Sequence, residues 1–124
     1  MHRRDFTYID DIVEGVIRIL HKPPGRNPDW DSALPDPGTS SAPWRVFNIG
    51  NSNPVNLMEY IGALESALGR VAKKEFLPLQ DGDVPDTSAD IEELISYTNY
   101  KPTINVVEGI NRFVSWYRQY YGRL

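Results

Sequence analysis

The sequence predicts an α+β fold of four capped helices with a few short strands. The first observation behind that expectation is a set of four paired positions: Asp11 with Glu14, Asn56 with Glu59, Asp90 with Glu93, and Asn105 with Glu108. In such a box the cap oxygen accepts from the amide of the third helical residue, while the glutamate reaches back to the amide of the cap. The second is that apolar residues follow three of these boxes at helical spacing. The third is a pair of short segments between the helices, Arg45–Ile49 and Lys74–Leu79, that read as strands.

Each element has its own warrant. A short extended piece is expected around Phe6–Tyr8. The first helix should run from Ile12 to about His21, with Ile12, Val13, Val16, Ile17 and Leu20 as one inward stripe and Asp11 as its cap. Pro23-Pro24-Gly25 ends it. The second should run from Leu57 to Leu68, turning Leu57, Ile61, Leu64 and Leu68 inward, with Val55 stapled to Tyr60 and Gly69 as the stop. Pro78 makes Lys74–Leu79 an edge or a strand end. A short third helix follows Asp90. The fourth, Val106 to about Tyr121, points Ile110, Phe113, Val114 and Tyr117 at the core. A good cap stabilises a helix by about 1 kcal/mol.

Residues 23–43 hold six prolines and two glycines, a composition that forbids a helix interior or a central strand. Two readings suit this loop: a solvated connector whose Trp30 packs on the body, or a lid or partner surface.

Composition limits the function classes. At 124 residues, 1–124 reads as one domain with a single modest core. No apolar stretch approaches the roughly 20 residues of a membrane helix. No secretory signal precedes Arg3 and Arg4, so a cytoplasmic location is expected. Without cysteine there is no disulfide framework or thiolate site, and His2 and His21 lie too far apart to suggest a metal. A net charge of −4 opposes broad nucleic-acid binding, which needs a basic face. The aromatic C-terminus, with Trp116, Tyr117, Tyr120 and Tyr121, reads as a half-buried helix face rather than a base-stacking surface.

Three segments together carry a resemblance: Arg4-Asp5-Phe6-Thr7-Tyr8-Ile9-Asp10-Asp11, Val46-Phe47-Asn48-Ile49-Gly50, and Leu77-Pro78-Leu79-Gln80-Asp81-Gly82-Asp83-Val84-Pro85. They resemble the C-terminal part of the NAD-dependent nucleotide-sugar epimerases and dehydratases, the extended short-chain dehydrogenase/reductases. The UDP-glucuronate 4-epimerases are the subfamily they resemble most, and the long loop at 23–43 is similar to an insertion typical of that subfamily. The resemblance implies the substrate-binding C-terminal portion of an extended Rossmann-type enzyme, lacking its dinucleotide-binding domain. In the intact family enzyme it implies that bound NAD oxidises the sugar C4 hydroxyl with a tyrosine as base. The 4-keto sugar then turns over, and hydride returns to its other face.

The same resemblance implies the site residues. A UDP-sugar needs a cation for its pyrophosphate, a carboxylate for its ribose hydroxyls, and an aromatic or backbone contact for uracil. Arg4, Asp83 and Phe6 match those roles, and a guanidinium suits phosphate because its donors form a planar fork. Gln80 stands where many UDP-galactose epimerases carry a second arginine, and is counted with the substrate-binding residues. Asp5 and Asp11 read as structural. Neither catalytic, cofactor-binding nor metal-binding residues are expected in this chain, and NAD is expected only in the intact enzyme. The expected partners are a UDP-sugar, the absent N-terminal dinucleotide domain and further copies of the chain, with no nucleic acid or membrane. Two other readings compete: a fragment of a sugar-nucleotide dehydratase or decarboxylase, and a non-catalytic interaction module.

Two further patterns are set aside. Tyr97 and Lys101 match the Tyr-x-x-x-Lys of dehydrogenase sites, but Pro102 pushes Lys101 out of the helical region. Gly50-Asn51-Ser52-Asn53-Pro54 follows a strand-like run but lacks the glycines of a phosphate-binding fingerprint, so it reads as a turn.

Overall fold

A computed structural model describes residues 2–122. The elements come in the order β1 (Arg3–Arg4), α1 (Ile9–Leu20), β2 (Val55–Asn56), α2 (Leu57–Leu68), α3 (Glu92–Thr98) and α4 (Val106–Tyr121). The two strands pair antiparallel, Arg3 opposite Asn56 and Arg4 opposite Val55. α2 packs along α4, and α1 packs on α3. The small core among the described residues is Ile91, Leu94, Ile110 and Val114, and Pro102 is also fully buried.

Two of the four caps form through the side chain as their composition dictates. Asn105 Oδ1 accepts from Glu108 N at 3.0 Å, and Asn56 Oδ1 accepts from Met58 N at 2.9 Å. Glu108 turns away from the cap to Arg112, one helical turn on, at 2.5 Å. Asp90 accepts from Glu92 N, while Ile91 takes the cap position of α3. α2 ends as expected at Gly69, whose φ of 67° is the left-handed conformation that glycine adopts without steric cost.

The start of α1 differs from expectation. The helix begins at Ile9, and Tyr8 occupies the cap position without a side-chain bond. Asp11 therefore lies inside the first turn, 5% exposed, and is not a cap. Its carboxylate accepts from the Tyr100 hydroxyl at 2.8 Å, Thr103 N at 3.1 Å and Ile104 N at 2.9 Å. A buried carboxylate needs several donors, and this one finds them roughly ninety positions away rather than on its own helix.

The apolar stripe of α1 is also turned the other way. Of the expected stripe Ile12 is half-buried, but Val13, Val16, Ile17 and Leu20 are exposed, Leu20 at 75%, while the buried side is Asp11 with Gly15 against Ile49. Periodicity shows that a face is apolar but not that its partner lies in the same segment, and no described element covers this one. On α2, Ile61 and Leu64 are half-buried, whereas Leu57 and Leu68 at its ends are exposed. On α4, Ile110 and Val114 are buried and Tyr117 is half-buried, but Phe113 is exposed.

Neither expected strand forms. Arg45 makes one isolated antiparallel bridge to Thr39 and Val46 N donates to Gly38 O, but residues 46–49 form no strand, and residues 74–79 are irregular. A strand exists only where a neighbour completes its ladder, and the described residues supply none at either place. The extended piece expected at Phe6–Tyr8 pairs slightly earlier, as β1. Tyr60 stacks on Phe6, ring against ring.

The loop over residues 23–43 is organised by its own polar side chains. Asn27 bonds Thr39 and Ser40, and Asp36 accepts from Gly38 N and the Thr39 hydroxyl. The Thr39 hydroxyl, then the Gly38 amide, hold the Asp36 carboxyl below its ordinary range. Trp30, expected to pack on the body, donates its indole N–H to the Asp36 carbonyl within the loop.

Candidate functional site

Arg4 is delivered to its place by β1. The strand's backbone is held on its other edge by residues 85–87: Arg3 N donates to Pro85 O at 2.9 Å, and Thr87 N to Arg3 O at 3.2 Å. That clamp sets a turn from Gln80 to Asp83 beside the arginine. Asp83 N closes the turn on Gln80 O, and Gly82 passes through it at a φ of 86°.

Arg4 Nη2 then reaches Asp83 Oδ1 at 2.9 Å, and Arg4 Nη1 donates to the Pro85 and Arg3 carbonyls. The guanidinium is thus held in one orientation while staying partly open to solvent. An exposed pair of this kind adds no more than about 1 kcal/mol to stability. Its two charges remain open to an anion and to a hydroxyl donor.

A third group joins them that sequence reasoning missed. His2 Nε2 lies 3.6 Å from Asp83 Oδ2, the oxygen Arg4 does not use. That nitrogen is buried and without a hydrogen-bond partner among the described residues. Nothing local to His2 signals the contact, because it depends on a turn eighty-one positions on.

Phe6 and Gln80 are placed differently. Phe6 stacks on Tyr60, ring centroids 4.1 Å apart, and lines a cavity of about 230 Å³ with Ile104, Val106, Ile110 and Phe113. Gln80 gives its carbonyl to the turn, and its side chain is exposed. The structure therefore joins Arg4 and Asp83 directly, sets Gln80 in the turn that holds Asp83, and seats Phe6 against α2.

The turn after Ile49 does not fit a cofactor phosphate. Asn51 N donates to the Thr7 hydroxyl, while Ser52 N and Asn53 N donate to the Asp5 carboxylate. Its amides are taken, so no step involving a dinucleotide is assigned to these residues. Tyr97 and Lys101 do not share a helical turn either, since α3 ends at Thr98. The Tyr97 hydroxyl donates to Lys22 O, and Lys22 Nζ lies over its ring. The described residues contain no group of three or more side chains suited to a metal, and no helix among them is long and apolar enough to cross a membrane.

No protein-family model matches the chain. Curated relatives do. Protein CapI of Staphylococcus aureus is 49% identical over 118 residues, 95% of this chain and 35% of that protein. A probable UDP-glucuronate 4-epimerase of Rhizobium meliloti (strain 1021) is 44% identical over 124 residues, 97% of this chain and 36% of that protein. Among solved structures, UDP-glucuronic acid 4-epimerase from Bacillus cereus, in complex with UDP-glucuronic acid and NAD, superposes with a TM-score of 0.68 at 27% identity. That match covers 94% of this chain and 32% of the other. The chain thus resembles NAD-dependent nucleotide-sugar epimerases and spans about a third of the length of the proteins it matches.

Proposed function

We propose that this chain is the sugar-nucleotide-holding part of a UDP-glucuronate 4-epimerase. Arg4 binds the pyrophosphate, Asp83 accepts from the ribose hydroxyls, Phe6 lies at the uracil, and Gln80 lines the phosphate side without a second charge. The observation that carries this reading is the 2.9 Å contact between Arg4 and Asp83. It puts the two charged groups such a ligand needs side by side, at residues matching the motifs of that family. On this reading hydride transfer belongs to a dinucleotide-binding domain outside the chain, and the exposed face of α1 and residues 46–49 are where that domain sits.

Titration of the chain with UDP, followed by calorimetry, tests the proposal. Arg4→Ala and Asp83→Ala should each weaken binding by about 1.5–3 kcal/mol, the usual effect of removing a charged hydrogen-bond partner. The double substitution should cost less than the sum, because the two groups contact each other. UDP affinity unchanged in both single variants would rule these roles out.

A further inference from the structure

We propose that Asp5 is the positioning residue of this site, a role that rests on the UDP-binding reading above. Its carboxylate joins two segments that are distant in sequence and flank β1 on either side. Oδ2 accepts from Ser52 N at 3.0 Å and from Ala89 N at 2.9 Å, and Oδ1 accepts from Asn53 N at 3.3 Å. Its own amide donates to the Thr87 hydroxyl at 3.3 Å. The Ala89 and Thr87 bonds hold the segment whose residues 83–85 face Arg4. The Ser52 and Asn53 bonds hold the turn that leads into β2 and α2, and so to Tyr60 against Phe6. Both halves of the site therefore take their position from one carboxylate, next in sequence to Arg4.

Gly50 shows how close the joint is. A Cβ there would lie 2.4 Å from Ala89 Cβ and 3.0 Å from Asp5 Oδ2. The two segments meet at this distance only because residue 50 has no side chain. Asp11 is the internal contrast: it too is a carboxylate with three donors, but it ties α1 to residues 100–104, away from Arg4 and Asp83.

The test uses the 124-residue chain with Asp5→Asn, Asp5→Glu and Asp11→Asn. Hydrogen exchange at single amides and UDP affinity are both measured. Asp5→Asn should speed exchange at Ser52, Asn53 and Ala89 and weaken UDP roughly tenfold or more, with Asp5→Glu recovering part of the affinity because it restores the charge. Asp11→Asn should lower stability and leave UDP affinity unchanged. Asp5→Asn binding UDP like the parent, or Asp11→Asn weakening it equally, would overturn the proposal. If the parent itself fails to bind UDP, the functional reading falls. Asp5 is then judged on exchange: faster exchange confined to residues 50–53 and 83–89 upholds the joint, and unchanged exchange overturns it. Should Asp5→Asn not fold, Asp5→Glu, which keeps the charge but displaces the carboxylate from Ser52, Asn53 and Ala89, carries the same readings.

Discussion

The Tyr100 hydroxyl donates to Asp11 Oδ1 at 2.8 Å, fastening the segment before α4 to the first turn of α1. The same carboxylate receives the amides of Thr103 and Ile104 through its other oxygen. Burial, with Asp11 next, raises the Tyr100 hydroxyl well above the ordinary tyrosine range.

Asp11→Ala should destabilise the fold by about 3 kcal/mol, since it leaves two amides and a hydroxyl without their acceptor. Urea denaturation of the two proteins measures it. A loss below about 0.5 kcal/mol, typical of a surface substitution, would show that the segment is held by other contacts.

Alkaline pH should act through Tyr100. Its folded pKa lies above its unfolded value, so its contribution to stability is complete below the ordinary tyrosine pKa of about 10 and is lost as pH rises through the folded value. In a spectrophotometric titration one tyrosine should ionise late and together with unfolding. Tyr100→Phe should remove that late step, and its persistence in the variant would assign it to another tyrosine.

Purified chain incubated with NAD and UDP-glucuronate should form no UDP-galacturonate. The turn that follows Ile49 has its amides bonded within the protein, and Tyr97 and Lys101 do not form a catalytic pair. Turnover clearly above a mock purification would contradict the assignment of the chemistry to a separate domain.

The chain alone should self-associate through α1. Ile9, Val13, Val16, Ile17 and Leu20 are all exposed on this one helix, and contiguous apolar surface of a few hundred Å² favours association. Light scattering over a dilution series should show dimers or larger species, and Val16→Lys with Leu20→Glu should shift them to monomer. A parent chain that stays monomeric at high concentration would show that this face stays exposed without driving association.

Much of this protein is determined within a few residues along the chain. Asn105 caps α4, Asn56 caps α2 and Gly69 ends α2 because those interactions are local, and sequence carries them directly. The loop over residues 23–43 is irregular because its six prolines exclude a helix interior and a central strand. Tertiary structure decided what depends on distant partners. Asp11 reads locally as a cap, yet buried donors from residues 100–104 claim its carboxylate. Residues 45–49 and 74–79 have strand composition, but a ladder needs a second strand beside it. The apolar face of α1 is legible as a face, while its exposure depends on what else packs there. The contact of Arg4 with Asp83 follows the same rule: motif resemblance names both residues, and the backbone clamp of β1 on residues 85–87 brings them within 2.9 Å.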